Sequence, residues 1–219
     1  MSEPITIDVV SDVICPWCFL GKRRLDKAVA ALLSQPLQVR WRPFQLDPSI
    51  PKAGVPRQAY LEAKFGPARL AELHKPLVTA GEREGIAYAF DKIKVTPNSL
   101  DAHRLIRWAH THNLQGEMVE RLFSLYWLEG ADIGAREVLI KAAVDVGLDG
   151  TLVAQLLQSE ADLDAVIAEI SQASEIGITG VPTYILAGRY GVVGAQSAEV
   201  LTSAIMRAMS ETQSTANAS

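Results

Sequence analysis

The two cysteines are the residues whose type and spacing most directly suggest chemistry. Cys15 and Cys18 are the only cysteines among 219 residues, and they lie three positions apart in Cys15-Pro16-Trp17-Cys18. Two thiols at this spacing can form a disulfide and be reduced again, so they can exchange electrons with other thiols. The motif therefore indicates redox chemistry.

The segments on either side of the motif predict which sulfur attacks. Residues 5–10 form a strand-like apolar run, and residues 19–33 have the apolar spacing of a helix, so Cys15 should lie at a helix N-terminus. Unpaired N–H groups and the helix dipole favour a thiolate there, and Pro16 suits the first helical turn. We expect Cys15 to attack and Cys18 to resolve, with Pro16 and Trp17 tuning the redox poise.

Three other interpretations of the cysteine pair compete with the redox one. Cysteines can simply fill core space, which would suit Cys18 alone. Structural zinc needs four ligands, and beyond this pair the chain offers only the His-x-His of His110 and His112. A permanent disulfide would close a very small loop with little entropic benefit. The sequence favours redox chemistry and predicts no metal site.

Composition narrows the class of partner and the compartment. Apolar residues make up 48% of the chain, charged residues 21%, and the net charge is −4. This charge argues against nucleic acid or an anionic membrane as a partner. Residues 1–5 have no basic segment or long apolar run, and no apolar stretch is long enough to span a membrane. We expect a cytoplasmic protein, where a cysteine pair is more often catalytic than structural.

The remaining segments predict how the chain is organised. Residues 37–44 alternate as a second strand, so residues 1–48 should form a βαβ unit with a parallel strand pair. Residues 49–177 have mostly helical spacing. Residues 178–209 indicate a β-hairpin followed by a helix with Ser197 as its N-cap. Small polar residues over 210–219 predict a disordered tail.

Several other side chains are predicted to have structural roles. Asp12 is expected in a loop or cap, although it could accept a proton from Cys18, and His103 is expected as a satisfied helix residue. The aromatic side chains of the insertion are predicted to form its core: Trp108, Phe123, Tyr126 and Trp127. The charged residues of the first helix are expected to face solvent without a substrate role: Lys22, Arg23, Arg24, Asp26 and Lys27.

Cys-Pro-Trp-Cys, the later Val181-Pro182-Thr183 and the strand order together resemble the DsbA-type thiol–disulfide oxidoreductase superfamily, and within it the FrnE-like proteins. The stretches that carry the resemblance are 11–22, 42–46, 98–104, 180–183 and 194–196. The resemblance implies an α/β thioredoxin fold in which a large all-helical insertion separates a βαβ half from a ββα half.

The resemblance also implies the site and its partners. The Val181–Pro182 bond should be cis and face the cysteines, so that the backbone of Val181 can pair with an extended substrate. The implied substrate is a protein or small molecule containing a disulfide or thiol. No cofactor is expected to be bound, glutathione is a possible redox partner, and the protein is expected as a monomer or homodimer.

Three functions follow, in order of preference. The first is a thiol–disulfide oxidoreductase or isomerase acting through Cys15 and Cys18. The second is a glutathione-dependent enzyme like the kappa-class transferases and 2-hydroxychromene-2-carboxylate isomerases, which hold the glutathione thiolate near a serine where this chain has Cys15. Gly194, Gln196 and Ser197 at a helix start could then bind a carboxylate. The third is a holdase-like binding protein.

Overall fold

The chain folds around a four-stranded sheet to which both of its ends contribute. The structure, a computed structural model, describes residues 4–216. The strand order is β2-β1-β5-β6, with β1 (Ile5–Ser11) parallel to β2 (Leu37–Pro43) and antiparallel to β5 (Thr183–Leu186). Strand β6 (Tyr190–Val193) completes the predicted hairpin. This architecture confirms the predicted thioredoxin fold.

Two helices belong to the same half of the molecule as this sheet. Helix α1 (Pro16–Ala30) connects β1 to β2, and α10 (Ala198–Ala216) follows β6 and packs against α1. Strand β1 lies between two neighbours and contributes Ile7 and Val9, both almost fully buried, to the core. Ile7 and Val9 alternate with the half-buried Asp8, which places the two apolar side chains on the same face of the sheet.

The insertion between β2 and β5 is almost entirely helical. Its short two-stranded ribbon pairs β3 (Val55–Pro56) with β4 (Val95–Thr96). Its helices are α2 (Arg57–Phe65), α3 (Pro67–Leu73), α4 (Lys75–Arg83), α5 (Leu100–His110), α6 (Gln115–Ser124), a π-helical turn (Leu125–Glu129), α7 (Arg136–Asp145), α8 (Gly150–Gln158) and α9 (Leu163–Glu175). Helices α3 and α4 separate at His74 because Pro76 cannot continue the hydrogen-bond pattern of a preceding helix.

The insertion covers the open edge of the sheet at β2. The side-chain amide of Gln115 accepts from the N–H of Trp41 at 2.9 Å and donates to its carbonyl oxygen at 3.2 Å. These two contacts occupy the outward-facing backbone groups of Trp41 as a further strand would. An edge blocked in this way cannot pair with another chain at that position.

The aromatic core of the insertion is largely as predicted. Phe123, Tyr126 and Trp127 are fully buried, and the Trp127 indole donates to the carbonyl oxygen of Val13 at 3.1 Å. This bond connects the insertion directly to the loop that carries the cysteines. Trp108 differs, because it is only half-buried and its indole donates to Asp162 at 2.9 Å.

The prediction that the charged residues of α1 face solvent is wrong for three of the five. Lys22 is buried and lies 3.0 Å from Glu120, which also pairs with Arg23 at 2.6 Å. Arg24 pairs with Glu84 at 2.8 Å. Both carboxylates belong to the insertion, which packs on a helix face that periodicity alone assigns to solvent. The two remaining side chains, Asp26 and Lys27, are about half-exposed.

The predicted disordered tail is also corrected. Helix α10 continues to Ala216, so residues 210–216 are helical, while residues 217–219 lie outside the described part of the chain. The hydroxyls of Ser210 and Ser214 each donate to a carbonyl oxygen three or four residues earlier, at 2.9 Å. Small polar composition predicted disorder here because it does not reveal that a helix already packed on the core can extend past it.

Candidate active site

Cys15 occupies the N-terminus of α1. It is the N-cap residue, with extended backbone angles (φ −94°, ψ 114°), and Pro16 is the first helical residue. The carbonyl oxygen of Cys15 accepts from the N–H of Cys18 at 3.1 Å and of Phe19 at 3.4 Å. The structure therefore places Cys15 at a helix N-terminus, as the sequence predicted.

The cysteine turn faces the loop that leads into β5. The Cys15 thiol donates to the carbonyl oxygen of Val181 at 3.7 Å, and the Val181–Pro182 peptide bond is cis. The carbonyl oxygen of Pro182 in turn accepts from the N–H of Gly194 at 2.8 Å. Three segments far apart in sequence thus meet at one place: the cysteine motif, the Val-Pro turn and the loop before α10.

Burial distinguishes the two sulfurs from the neighbouring tryptophan. Both cysteines are free thiols, Cys18 is 1% exposed and Cys15 4%, whereas Trp17 is 40% exposed. Burial raises the pKa of Cys18 well above its ordinary value, and the contact with Cys15 raises this pKa further. Weaker effects of the Ser11 side chain and the Asp12 backbone oppose the shift. Cys18 is therefore a neutral thiol around pH 7.

Tyr88 is a site residue that the sequence did not indicate. Its hydroxyl donates to the carbonyl oxygen of Pro16 at 2.7 Å, and its ring stacks on Phe90 with centroids 5.0 Å apart. Burial first, and the nearby cysteine sulfurs second, raise its pKa. Residues 86–95 have no clear periodicity, so nothing in the sequence links this tyrosine to the motif.

Tyr184 has a buried hydroxyl close to the cysteine motif. The side chain is fully buried, and its oxygen has no hydrogen-bond partner within the described residues. Burial raises its pKa, and the neighbouring Cys18 raises it further. A Cβ added at Gly21, one turn after Cys18, would collide with this hydroxyl and lie 2.9 Å from the ring of Pro182. Only glycine lets α1 approach the Val-Pro turn this closely.

Asp12 and His103 have the structural roles that the sequence favoured. The Asp12 carboxylate is fully buried and accepts from the N–H of Leu46 at 2.8 Å and of Ile14 at 3.3 Å. His103 Nε2 lies 2.9 Å from the carbonyl oxygen of Phe44, which can only accept, so this nitrogen carries the hydrogen. These bonds fix the loop before the cysteine motif and the segment that follows β2.

The loop before α10 carries the other predicted binding residues, and the bond from Gly194 to Pro182 connects this loop to the Val-Pro turn. Gly194 has a positive φ of 83°, which its missing side chain permits. Gln196 donates to the carbonyl oxygen of Val193 at 2.8 Å, and the Ser197 hydroxyl accepts from the N–H of Val200 at 3.4 Å. Ser197 is thus at the helix start, as predicted. Arg24 donates to the carbonyl oxygen of Ala195 at 2.6 Å.

Neither a metal-binding group of side chains nor a membrane-spanning helix is found among the described residues. Over that part of the chain, no group of three or more histidine, cysteine or acidic side chains is arranged to hold a metal ion. Within the same residues, no helix combines the length and the apolar character needed to cross a bilayer.

The fold and this site define a thioredoxin-fold protein with a dithiol at the start of α1. The chain belongs to the family of DSBA-like thioredoxin domains, which matches residues 6–206. It is 28% identical over 202 residues to the uncharacterized protein YwbO of Bacillus subtilis, with 92% of this chain and 96% of YwbO covered.

Solved structures extend the comparison. A probable DsbA oxidoreductase from Streptomyces coelicolor superimposes with a TM-score of 0.87 and 32% identity, covering 94% of this chain and 91% of its own. A 2-hydroxychromene-2-carboxylate isomerase gives 0.72 and 21%, covering 98% and 99%. The cytosolic disulfide reductase DsbM from Pseudomonas aeruginosa, solved with glutathione, gives 0.66 and 18%, covering 97% and 99%. The last two similarities establish the shared fold.

Proposed function

We propose that this protein is a thiol–disulfide oxidoreductase or isomerase whose reacting groups are Cys15 and Cys18. The observation that carries the proposal is the position of Cys15: its sulfur lies at the N-terminus of α1 and 3.7 Å from the carbonyl oxygen of Val181. Helix N–H groups favour the thiolate, which is the nucleophile in disulfide exchange. The backbone of Val181 lies where an extended substrate could pair with it.

The first half of the reaction is an exchange at Cys15. The Cys15 thiolate attacks one sulfur of a substrate disulfide, a new S–S bond joins enzyme and substrate, and the other substrate sulfur leaves as a thiolate. The neutral thiol of Cys18 does not compete for this first attack, because burial raises its pKa. The order of attack thus follows from the different surroundings of the two sulfurs.

The second half releases the substrate. Cys18 loses its proton and attacks the sulfur of Cys15, so the mixed disulfide breaks and the second substrate sulfur leaves as a thiolate. The substrate has gained two electrons and the enzyme holds a Cys15–Cys18 disulfide. A thiol reductant, such as two molecules of glutathione, returns the pair to the dithiol. In the reverse direction the same steps make disulfides.

The remaining predicted residues have supporting roles in this proposal. Val181 and Pro182 bind the substrate backbone, while Gly194, Gln196 and Ser197 lie on the adjoining loop and bind its polar end. Pro16 and Trp17 separate the two cysteines and tune the redox poise, and the partly exposed Trp17 ring can contact the substrate. In this proposal the protein is cytoplasmic, and its substrates contain a disulfide or a thiol.

The proposal is tested by reduction of insulin disulfides with glutathione as the electron donor. Wild-type protein should accelerate the reaction, Cys15→Ser should abolish it, and Cys18→Ser should accumulate a mixed disulfide that mass spectrometry detects. Wild-type activity retained in Cys15→Ser, or absence of any disulfide exchange by the wild type, would contradict the proposal.

One observation favours a second candidate, a glutathione-dependent isomerase or transferase. The loop of Gly194, Gln196 and Ser197 adjoins the Val-Pro turn, so a helix N-terminus is available for a substrate carboxylate near Cys15. Under this alternative, Cys15→Ser should conjugate glutathione to an aromatic electrophile. If the protein binds no glutathione at millimolar concentrations, this candidate is excluded.

A further inference from the structure

Arg24 connects three parts of the molecule that the sequence leaves unrelated. From α1, its Nε donates to Glu84 Oε1 at 2.8 Å, and its Nη1 donates to the carbonyl oxygen of Ala195 at 2.6 Å. Glu84 ends α4 in the insertion, and Ala195 belongs to the loop before α10. The side chains of Arg24 and Glu84 are only 18% and 13% exposed, so salt screens the pair less than it would a surface pair.

Backbone contacts continue from this arginine to the reacting sulfur. The residue before Ala195 is Gly194, whose N–H donates to the carbonyl oxygen of Pro182 at 2.8 Å. The residue before Pro182 is Val181, whose carbonyl oxygen accepts from the Cys15 thiol at 3.7 Å. Arg24 therefore lies at the distal end of an uninterrupted line of contacts that begins at the nucleophile.

We infer that Arg24 is a positioning residue, which fixes the loop of residues 194–197 in the geometry that binds the polar end of a carboxylate-bearing thiol or disulfide substrate. The inference rests on the function proposed above and adds a residue to it. Arg24 acts through the carbonyl oxygen of Ala195 rather than on the substrate. Its ion pair with Glu84 fixes the guanidinium orientation, so the insertion contributes to the shape of the loop.

The chemistry of the contact explains why an arginine occupies this position. A guanidinium is planar and has several N–H donors in fixed directions, so it can bond a carboxylate and a carbonyl oxygen at once. The ammonium of Lys27 also contacts Glu84, at 2.7 Å, but its side chain is 56% exposed. Lys27 therefore shares the ion pair with Arg24 without sharing the contact with the loop.

Because Arg24 and Lys27 both contact Glu84, a substitution of Lys27 is a matched control for the same substitution of Arg24. Arg24→Gln and Lys27→Gln each remove one positive charge from α1 and one contact to Glu84, and each leaves Glu84 paired with the other cation. Only Arg24→Gln removes the charged donor to Ala195. A difference between the two variants thus reports the loop contact and not the loss of charge or of an ion pair.

The kinetic experiment compares two small disulfides, oxidised glutathione, which bears carboxylates, and hydroxyethyl disulfide, which has none. Dithiothreitol is the electron donor for both: it reduces the Cys15–Cys18 disulfide after each turnover and is itself oxidised to its cyclic disulfide. For Arg24→Gln we expect the KM for oxidised glutathione, divided by the KM for hydroxyethyl disulfide, to rise about tenfold. This is the size of effect that follows when a hydrogen bond to a charged group is lost. The kcat for oxidised glutathione should change much less than its KM. Lys27→Gln should leave the ratio at the wild-type value. An equal ratio in all three proteins overturns the inference.

A measurement without turnover separates this inference from the proposed function. Hydrogen exchange of the Gly194 and Gln196 amides, followed by NMR, should accelerate in Arg24→Gln relative to Lys27→Gln, because the loop loses its contact with α1. Unchanged exchange overturns the inference whatever the kinetics. A third outcome is that the wild type reduces neither disulfide while the exchange still accelerates in Arg24→Gln. The proposed function then fails. Arg24 would still position the loop, but with no role for a substrate, so the inference as stated is also overturned.

Discussion

The sulfur of Cys15 and the carbonyl oxygen of Val181 lie 3.7 Å apart, although 166 positions separate these residues in the sequence. The contact joins the two halves of the thioredoxin fold, one before and one after the helical insertion. It places the predicted nucleophile beside a backbone that a substrate can pair with.

The two thiols should differ in reactivity toward an alkylating reagent. At pH 7 we expect iodoacetamide to modify Cys15 first, because Cys18 is 1% exposed and its burial raises its pKa, so it stays a thiol. Peptide mass spectrometry at short times measures the modified fraction at each position. In urea both cysteines should react at similar rates, and preferential modification of Cys18 in the folded protein would contradict the assignment of the nucleophile.

The close approach of α1 to the Val-Pro turn should make Gly21 sensitive to a single methyl group. Gly21→Ala should lower the free energy of unfolding by about 1–3 kcal/mol, because the new Cβ meets the Tyr184 hydroxyl and the Pro182 ring. Urea unfolding measures the change.

Tyr184→Phe serves as the partner mutation in this test. Alone it should be neutral or slightly stabilising, since the buried hydroxyl it removes has no partner in the described residues. In the double variant it should recover part of the loss caused by Gly21→Ala. Strictly additive effects of the two substitutions would show that the hydroxyl does not contact the added methyl group.

The covered edge at β2 should contribute to stability through Gln115. Gln115→Leu leaves the N–H and carbonyl oxygen of Trp41 without their side-chain partners, so we expect a loss of about 2–4 kcal/mol in urea unfolding. Gln115→Glu, which can accept from the N–H but cannot donate to the carbonyl oxygen when ionised, is the matched comparison and should also destabilise. No loss in either variant would mean that these bonds are not needed to cover the edge.

Stability should fall in alkaline solution because of buried tyrosines. Burial raises the pKa of Tyr126 from 10.0 to about 12, so above pH 10 the unfolded chain loses a proton that the folded protein retains. The contribution of Tyr126 to the free energy of unfolding is fully present below about pH 10 and is lost as the pH rises toward about 12. Urea unfolding measured from about pH 8 to about pH 11.5 should show this decline in the free energy of unfolding.

Tyr126→Phe tests whether Tyr126 causes part of the decline. The variant should be less stable at neutral pH, since the hydroxyl bonds to Arg57 at 3.1 Å and Val95 at 3.2 Å. Its alkaline decline should be shallower than that of the wild type. Some slope should persist, because burial also raises the pKa values of Tyr88 and Tyr184. Identical slopes would contradict the assignment.

The sequence by itself determined the features that local patterns encode. The strand-to-helix junction placed Cys15 at a helix N-terminus, and Pro16 fitted the first turn. Two short strand-like runs joined by a turn at residues 187–189 indicated the hairpin of β5 and β6. These inferences depend on residues within one or two turns of each other. At that range side-chain periodicity and capping chemistry largely fix the backbone.

Only the tertiary structure decided which distant groups meet. Tyr88 reaches Pro16, and Arg24 reaches both Glu84 and Ala195, through contacts that span 60 to 171 positions. The same amphipathic pattern on α1 is compatible with a charged face in water or one packed against carboxylates of an insertion. Periodicity cannot distinguish these cases, because the free energy that separates them comes from a partner surface elsewhere in the chain.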